Sequence, residues 1–188
     1  RSKQAEADLL RSQSQLASTL KAIPDLLFEI GLDGRYYSAH SPRTDLLAAP
    51  VEELLQKRIS DVLPAGAASV CMQAIEDAHK NGFSSGRCFE LKLGAETKWF
   101  ELSVSRKDEF SPENPRFVVL SRDITERKLA EKKLLLAASV FSHAREGILI
   151  ADAQGLIVEV NDTFTDITGY TREEVVGKNP SLLKLIIK

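Results

Sequence analysis

Leu26, Phe28 and Ile30 alternate with Leu27 and Glu29, the two-residue period of a strand with one face buried. Asp33-Gly34 then supplies a strong tight-turn signal, and 36–39 reads as the returning strand. Pro42 and Pro50 mark the starts of short helical pieces. Pro64 precedes a longer helix predicted over 66–80 and closed by Asn81-Gly82, a good C-cap pair. Val70, Ala74, Ile75 and Ala78 form its apolar face. Three strands follow. Phe89, Leu91 and Leu93 alternate with charges, and Phe100, Leu102 and Val104 alternate with Glu101, Ser103 and Ser105. Phe117-Val118-Val119-Leu120 is apolar on both faces. Two strands, helices, then three strands predict an α+β fold: a five-stranded antiparallel sheet with helices on one side.

The last of these strands runs into a charged, Ala- and Leu-rich helix over 126–141 with neither Gly nor Pro between them. A joint without either residue is stiff. A second helix precedes the first strand. Leu9, Gln13, Leu16, Leu20 and Ile23 share one stripe, and Ala130, Leu134, Ala137, Phe141 and Ala144 repeat its spacing. Each stripe covers about two heptads, short of the three or four that define a coiled coil. Two readings stand: an amphipathic helix packed on its own domain, or a parallel dimer seam carried by Leu9, Leu16, Leu20, Leu134 and Phe141.

The chain also repeats itself. With Gly34 placed on Gly155 and no gaps, Thr44, Asp45, Glu52, Glu53, Lys57 and Ser60 fall on Thr165, Asp166, Glu173, Glu174, Lys178 and Ser181. The apolar pairs Leu27-Phe28 and Leu54-Leu55 face Ile148-Leu149 and Val175-Val176. The organisation predicted is an N-terminal amphipathic helix (1–23), a complete domain (24–125), a linker helix (126–144) and the truncated start of a second copy (145–188). A two-stranded hairpin is marginal alone, so the second copy is expected to be ordered by docking on the first or on another chain.

Of 188 residues, 43% are hydrophobic and 28% charged, and the net charge is −2. That balance leaves no basic face for nucleic acid. The apolar run 134–141 is far short of the ~20 residues that span a bilayer, so no membrane contact is expected. The polar start lacks a signal peptide's apolar core, and Cys71 and Cys88 have no metal or redox spacing. Together these suggest the cytoplasm, with a membrane anchor elsewhere in a parent protein left open.

AIPDLLFEIGLDGRYY, VEELLQKRISDVLP, TKWFELSVSR and FVVLSRDITERK resemble the opening hairpin, inter-helix stretch, closing strands and exit signature of the PAS domain family. Asn161, Phe164, Thr168-Gly169-Tyr170 and Glu173-Glu174 stand where that family places them in the second copy. The first copy departs, with His40 in place of Asn161 and no Thr-Gly-Tyr. The resemblance implies a PAS fold and a sensory role. It implies a pocket in the first copy, with Phe28, Tyr36, His40, Val70, Ala74, Ile75, Phe100 and Leu102 as candidates for its wall. It also implies that Asp123, Ile124, Thr125 and Glu126 pass movement from the last strand to the linker helix. From the residues alone, Asp123 and Glu126 read as a reciprocal capping box.

No catalytic constellation or metal spacing is visible, so the fragment is expected to be non-catalytic. Glu52-Glu53 and Glu173-Glu174 suit the starts of short helices. His79, beside Asp77, Lys80 and Asn81, reads as a solvated residue at a wet helix end. Heme ligation, which the resemblance raises, is the other reading. His143 reads as a helix-terminal residue. Trp99 and Phe100 read as core or dimer-surface aromatics, with a cofactor stack as the other reading. Gly177-Lys178-Asn179-Pro180-Ser181-Leu182 has no cysteine where light-sensing relatives carry theirs, which excludes flavin-cysteinyl chemistry in the second copy. No cofactor is assigned, only an unidentified small molecule in the first copy.

The expectation is a homodimeric sensory module that binds a small ligand or partner. It relays a shift through the linker helix to an output domain of the diguanylate cyclase, phosphodiesterase or histidine kinase type. The alternatives are a ligand-free dimerisation spacer and a heme or flavin redox sensor.

Overall fold

Pro24 stops the first helix, α1 (Ser2–Ala22), because a proline offers no amide hydrogen to continue it. The computed structural model describes residues 2–108 and 113–181, apart from the side chains of residues 2, 3 and 20. The dimer-seam candidate Leu20 and the tail 182–188 therefore lie outside what is described. The chain forms two units, one up to residue 125 and one from 126 onward.

In the first unit β1 (Leu26–Gly31) turns at Asp33-Gly34 into β2 (Tyr36–His40). Gly34 has φ +80°, and a Cβ there would come within 2.7 Å of the Met72 sulfur, so the turn needs glycine twice over. A 3-10 turn (Thr44–Leu46) and two short helices, α2 (Val51–Leu54) and α3 (Ile59–Val62), lead to α4 (Ala65–Asn81). Gly82 ends α4 in the left-handed region, its N–H bonded to the Ala78 carbonyl. Then come β3 (Phe83–Leu93), β4 (Glu96–Lys107) and β5 (Arg116–Asp123). β3 begins earlier than its apolar alternation predicts. The polar Ser84-Ser85-Gly86 segment belongs to the strand and carries a bulge at Gly86, φ +82°.

The sheet order is β2-β1-β5-β4-β3, with every neighbouring pair antiparallel. The first and last strands of the unit are thus paired, Phe28 opposite Val119 and Leu26 opposite Ser121. The strand that leaves the domain is consequently its middle strand. One sheet face carries Leu26, Ile30, Phe100, Leu102, Phe117 and Val119 into the core, where α4 adds Ala74, Ile75 and Ala78. The alanines have no bulk to hold the helix off the sheet, and each buried Phe or Leu contributes roughly 1.5–3 kcal/mol. Leu27, Trp99, Val118 and Leu120 are half-buried on the opposite face.

The helix α5 (Thr125–His143) is continuous and has no buried residue. In the second unit β6 (Leu149–Ala151) and β7 (Ile157–Val160) pair, followed by α6 (Asp162–Thr168) and α7 (Arg172–Val175). Ile157, Val160, Phe164 and Val175 form its small core, with Leu149 and Tyr170 against it. The repeat seen in sequence recurs in backbone bonding. Tyr36 N–H donates to the Lys57 carbonyl and Gln56 N–H to the Tyr36 carbonyl. At the matching positions Ile157 N–H donates to Lys178 and Gly177 N–H to Ile157.

Candidate functional site

The first unit encloses a cavity between its sheet and its short helices. Leu26, Phe28, Ile30, Ile75, Phe100 and Leu102 contribute apolar wall, and Leu46, Leu47 and Ala48 close one side. Three groups with polar hydrogens also line it: Tyr36, Cys71 and Ser121. All three residues are buried. No hydrogen bond reaches the Tyr36 hydroxyl, the Cys71 thiol or the Ser121 hydroxyl from the described residues. Burial holds the Tyr36 phenol well above its ordinary range, with Cys71 adding to the shift, and burial pushes the Cys71 thiol up to about 12. Both groups are therefore neutral at ordinary pH. The Phe28 and Tyr36 rings meet edge to face at 5.5 Å, and Phe89 stacks on Phe100 at 5.5 Å, which fixes the aromatic part of the wall.

The wall includes Phe28, Tyr36, Ile75, Phe100 and Leu102 of the residues nominated from sequence. It does not include His40, Val70 or Ala74. His40 is exposed at the end of β2, because an irregularity between Tyr36 and Ser38 shifts the register and sets Ala39 opposite core-facing Phe28 and His40 opposite Leu27 on the other face. Val70 is half-buried at the margin of the core, and Ala74 is fully buried within it. His79 differs from its expected solvation. It is half-buried, with its ring edge-on to Phe117 at 6.2 Å and its Nδ1 unpartnered among the described residues. Cys71 and Ser121 carry the cavity's thiol and one of its hydroxyls, and no sequence pattern had marked them. In an alternating strand, Ser121 sits at an inward position that apolar residues usually fill.

Ser121 lies two residues before Asp123, where β5 gives way to α5. The joint is bonded to β4. Ile124 N–H donates to the Trp99 carbonyl at 2.8 Å, and Trp99 N–H donates to Thr125 Oγ1 at 2.9 Å. Asp123 Oδ1 accepts from the Thr125 N–H at 2.9 Å and from the Thr125 hydroxyl. Ile124 is buried. The expected capping box is not what forms. The Asp123 carboxylate turns onto Thr125, two residues on, and Glu126 takes no part in this set. The fixed partner is the neighbouring strand.

In the second unit Asn161, 2% exposed, uses both ends of its amide. Its Oδ1 accepts from Ile148 N–H and Phe164 N–H at 2.8 and 2.9 Å, and its Nδ2 donates to the Phe141 and Glu146 carbonyls at 3.0 and 2.9 Å. One side chain thus ties the end of α5, the hairpin and the start of α6. His143 Nδ1 lies 2.9 Å from the Ser139 carbonyl in the last turn of α5. Leu9, Leu16 and Leu134 are exposed, and Phe141 is half-buried. Among the described residues no group of three or more His, Cys, Asp or Glu could hold a metal ion, and no helix is long and apolar enough to cross a membrane.

Two families described as PAS fold match this chain, one over residues 20–129 and one over 136–184. The chain belongs to the PAS-fold family. This PAS protein is 24% identical over 185 residues to sporulation kinase E of Bacillus subtilis strain 168; the match covers 96% of the chain and 24% of the kinase's length. Among solved structures it is similar to the PAS domain of an HTR-like protein from Haloarcula marismortui, at 23% identity, 65% of this chain, 99% of that one and a TM-score of 0.47. It is also similar to the photoactive yellow protein domain of the sensor histidine kinase Ppr from Rhodospirillum centenum, at 13% identity, 56% of this chain, 90% of that one and a TM-score of 0.45. The chain spans about a quarter of the length of the curated kinase it matches.

Proposed function

We propose that this PAS chain binds a small molecule in the cavity of its first unit and relays the event through α5 to a kinase-type output domain. The observation that carries the reading is positional. Ser121 lines the cavity, and Asp123, two residues later on the same central strand, is bonded into the strand-to-helix joint. A second link supports it. The segment whose Leu46, Leu47 and Ala48 wall the cavity also carries Arg43 and Asp45, paired at 2.7 Å. Arg43 and, on β4, Lys98 both feel the Asp123 charge. Replacing a cap costs about 1 kcal/mol, comparable to the bias between two signalling states.

The chain works as a homodimer, non-catalytic in itself, with the exposed Leu9, Leu16 and Leu134 as the helix contacts. The unpaired thiols Cys71 and Cys88 accord with a reducing compartment such as the cytoplasm. α5 is about 28 Å long at ~1.5 Å per residue, so a rotation at its base arrives whole at its far end.

The relay is tested in the parent protein by inserting one residue between Arg127 and Lys133, and separately seven. The single insertion rotates everything beyond it by about 100° and is expected to change output. Seven is expected to restore it. Output indifferent to the single insertion rejects the relay. Native mass spectrometry of the purified chain is expected to show a dimer carrying extra small-molecule mass, whereas a clean apo dimer supports a spacer.

A further inference from the structure

We infer that the cavity of the first unit selects a small, uncharged molecule with a compact apolar body and a hydrogen-bond acceptor. The inference rests on the ligand-binding reading above and names the chemistry that site would accept.

Among the described residues the lining has no Arg, Lys or His and no Asp or Glu. A carboxylate or an ammonium placed there would lose its hydration without gaining a counter-charge, which is prohibitive in an apolar interior. An uncharged body loses little. The polar part of the wall consists of Tyr36, Cys71 and Ser121, each of which can donate a hydrogen. No hydrogen bond to these three groups comes from the described residues, so each is free to donate into the cavity. An acceptor on the occupant, such as a carbonyl or ether oxygen, receives that hydrogen. Tyr36 gives the strongest handle, since a phenol O–H donates better than an alcohol or a weakly donating thiol. Ser121 makes the handle consequential, because it is on the strand that ends at Asp123.

Size narrows the class further. The cavity offers about 40 Å³ of space to the centre of a water-sized sphere, where one water needs ~10–15 Å³. With a water radius added all round, this becomes comparable to the ~150 Å³ engineered cavity that holds benzene. A five- or six-membered ring fits. An extended fatty chain, a heme or a flavin does not fit the cavity as it stands.

The test uses three probes of one shape, cyclopentane, cyclopentanone and cyclopentanecarboxylate, against the whole chain. Binding is read by methyl shifts of Ile75 and Leu102 and by thermal shift. The ketone is expected to bind at least about fivefold more tightly than the hydrocarbon, and the carboxylate not at all. The variant Tyr36→Phe combined with Ser121→Ala is expected to lose the ketone preference while still taking cyclopentane, which also shows that it folds. Equal affinity for ketone and hydrocarbon, or preference for the carboxylate, overturns the inference and leaves the cavity a binding site. No binding by any of the three overturns the inference together with the ligand-binding reading.

Discussion

The hydroxyl oxygen of Thr125 accepts the Trp99 backbone N–H at 2.9 Å while its own hydrogen goes to Asp123. One side chain thus fastens the first residue of α5 to β4 and to the end of β5. Thr125→Val keeps the shape and removes both bonds, leaving the partly buried Trp99 N–H without an acceptor and the Asp123 carboxylate with only the backbone N–H of residue 125. Such losses cost about 1–3 kcal/mol. Urea unfolding is expected to show that loss, and hydrogen exchange at the start of α5 is expected to speed up. Thr125→Ser, which keeps the hydroxyl, is expected to stay close to the parent. Unfolding curves for the valine variant that overlay the parent's would mean that the joint is held by packing alone.

The architecture was legible because apolar alternation and turn residues are local signals. The core positions Leu26, Ile30, Phe100 and Leu102 follow from a two-residue period, and the duplicate unit follows from Gly34 over Gly155. The joint was legible only in part. Asp123 was marked as a cap, but its bonding set depends on Trp99, which the sheet order brings alongside. No local rule carries that neighbour. His79 was misjudged for the same reason: its charged sequence neighbours say wet, while Phe117, far along the chain, covers its ring. His40 shares the two-residue period of inward Tyr36, which favours the pocket; the register shift in β2 that turns it outward has no signal in the residues.

Asn161 bonds four backbone groups at once in the second unit. Asn161→Ala strands two N–H groups and two carbonyls at a site with 2% exposure, so the loss is expected to be at least about 2 kcal/mol. The local signature matters more than the total. Exchange protection at Ile148 and Phe164 is expected to vanish while β4 and β5 keep theirs. Uniform loss across both units would show that the two melt as one cooperative body, and the local role would be withdrawn.

Gln56 and Gly177 occupy equivalent corners after α2 and α7, with φ of +68° and +78°. The left-handed region costs an L-residue about 1–2 kcal/mol, while glycine gives back part of that through its freer unfolded chain. Gln56→Gly is therefore expected to stabilise the first unit by roughly 0.5–1 kcal/mol. Gly177→Gln is expected to destabilise the second unit by a similar amount. Chemical denaturation of each variant reads both signs, and a destabilised Gln56→Gly would mean that the glutamine side chain makes a contribution beyond its backbone.

Burial raises the Cys71 thiol from its ordinary 9.0 to about 12. Below pH 9 folded and unfolded chains both keep this proton, so the group is silent. Between pH 9 and 12 the unfolded chain releases it and the folded chain does not, so the unfolded state binds fewer protons and stability falls as pH rises. The slope for one such group is about 1.4 kcal/mol per pH unit. Tyr36, also raised, adds a second slope above its ordinary 10.0. Cys71→Ala removes only the first of these. Urea unfolding across pH 8–10 is therefore expected to give a parent curve that bends downward near pH 9 and a variant curve that bends later. Thiol labelling should agree, with half-buried Cys88 alkylated well before Cys71. Parallel stability profiles, or equal labelling rates, would show that Cys71 is reached by water in the folded chain, and the cavity wall would then be open rather than sealed.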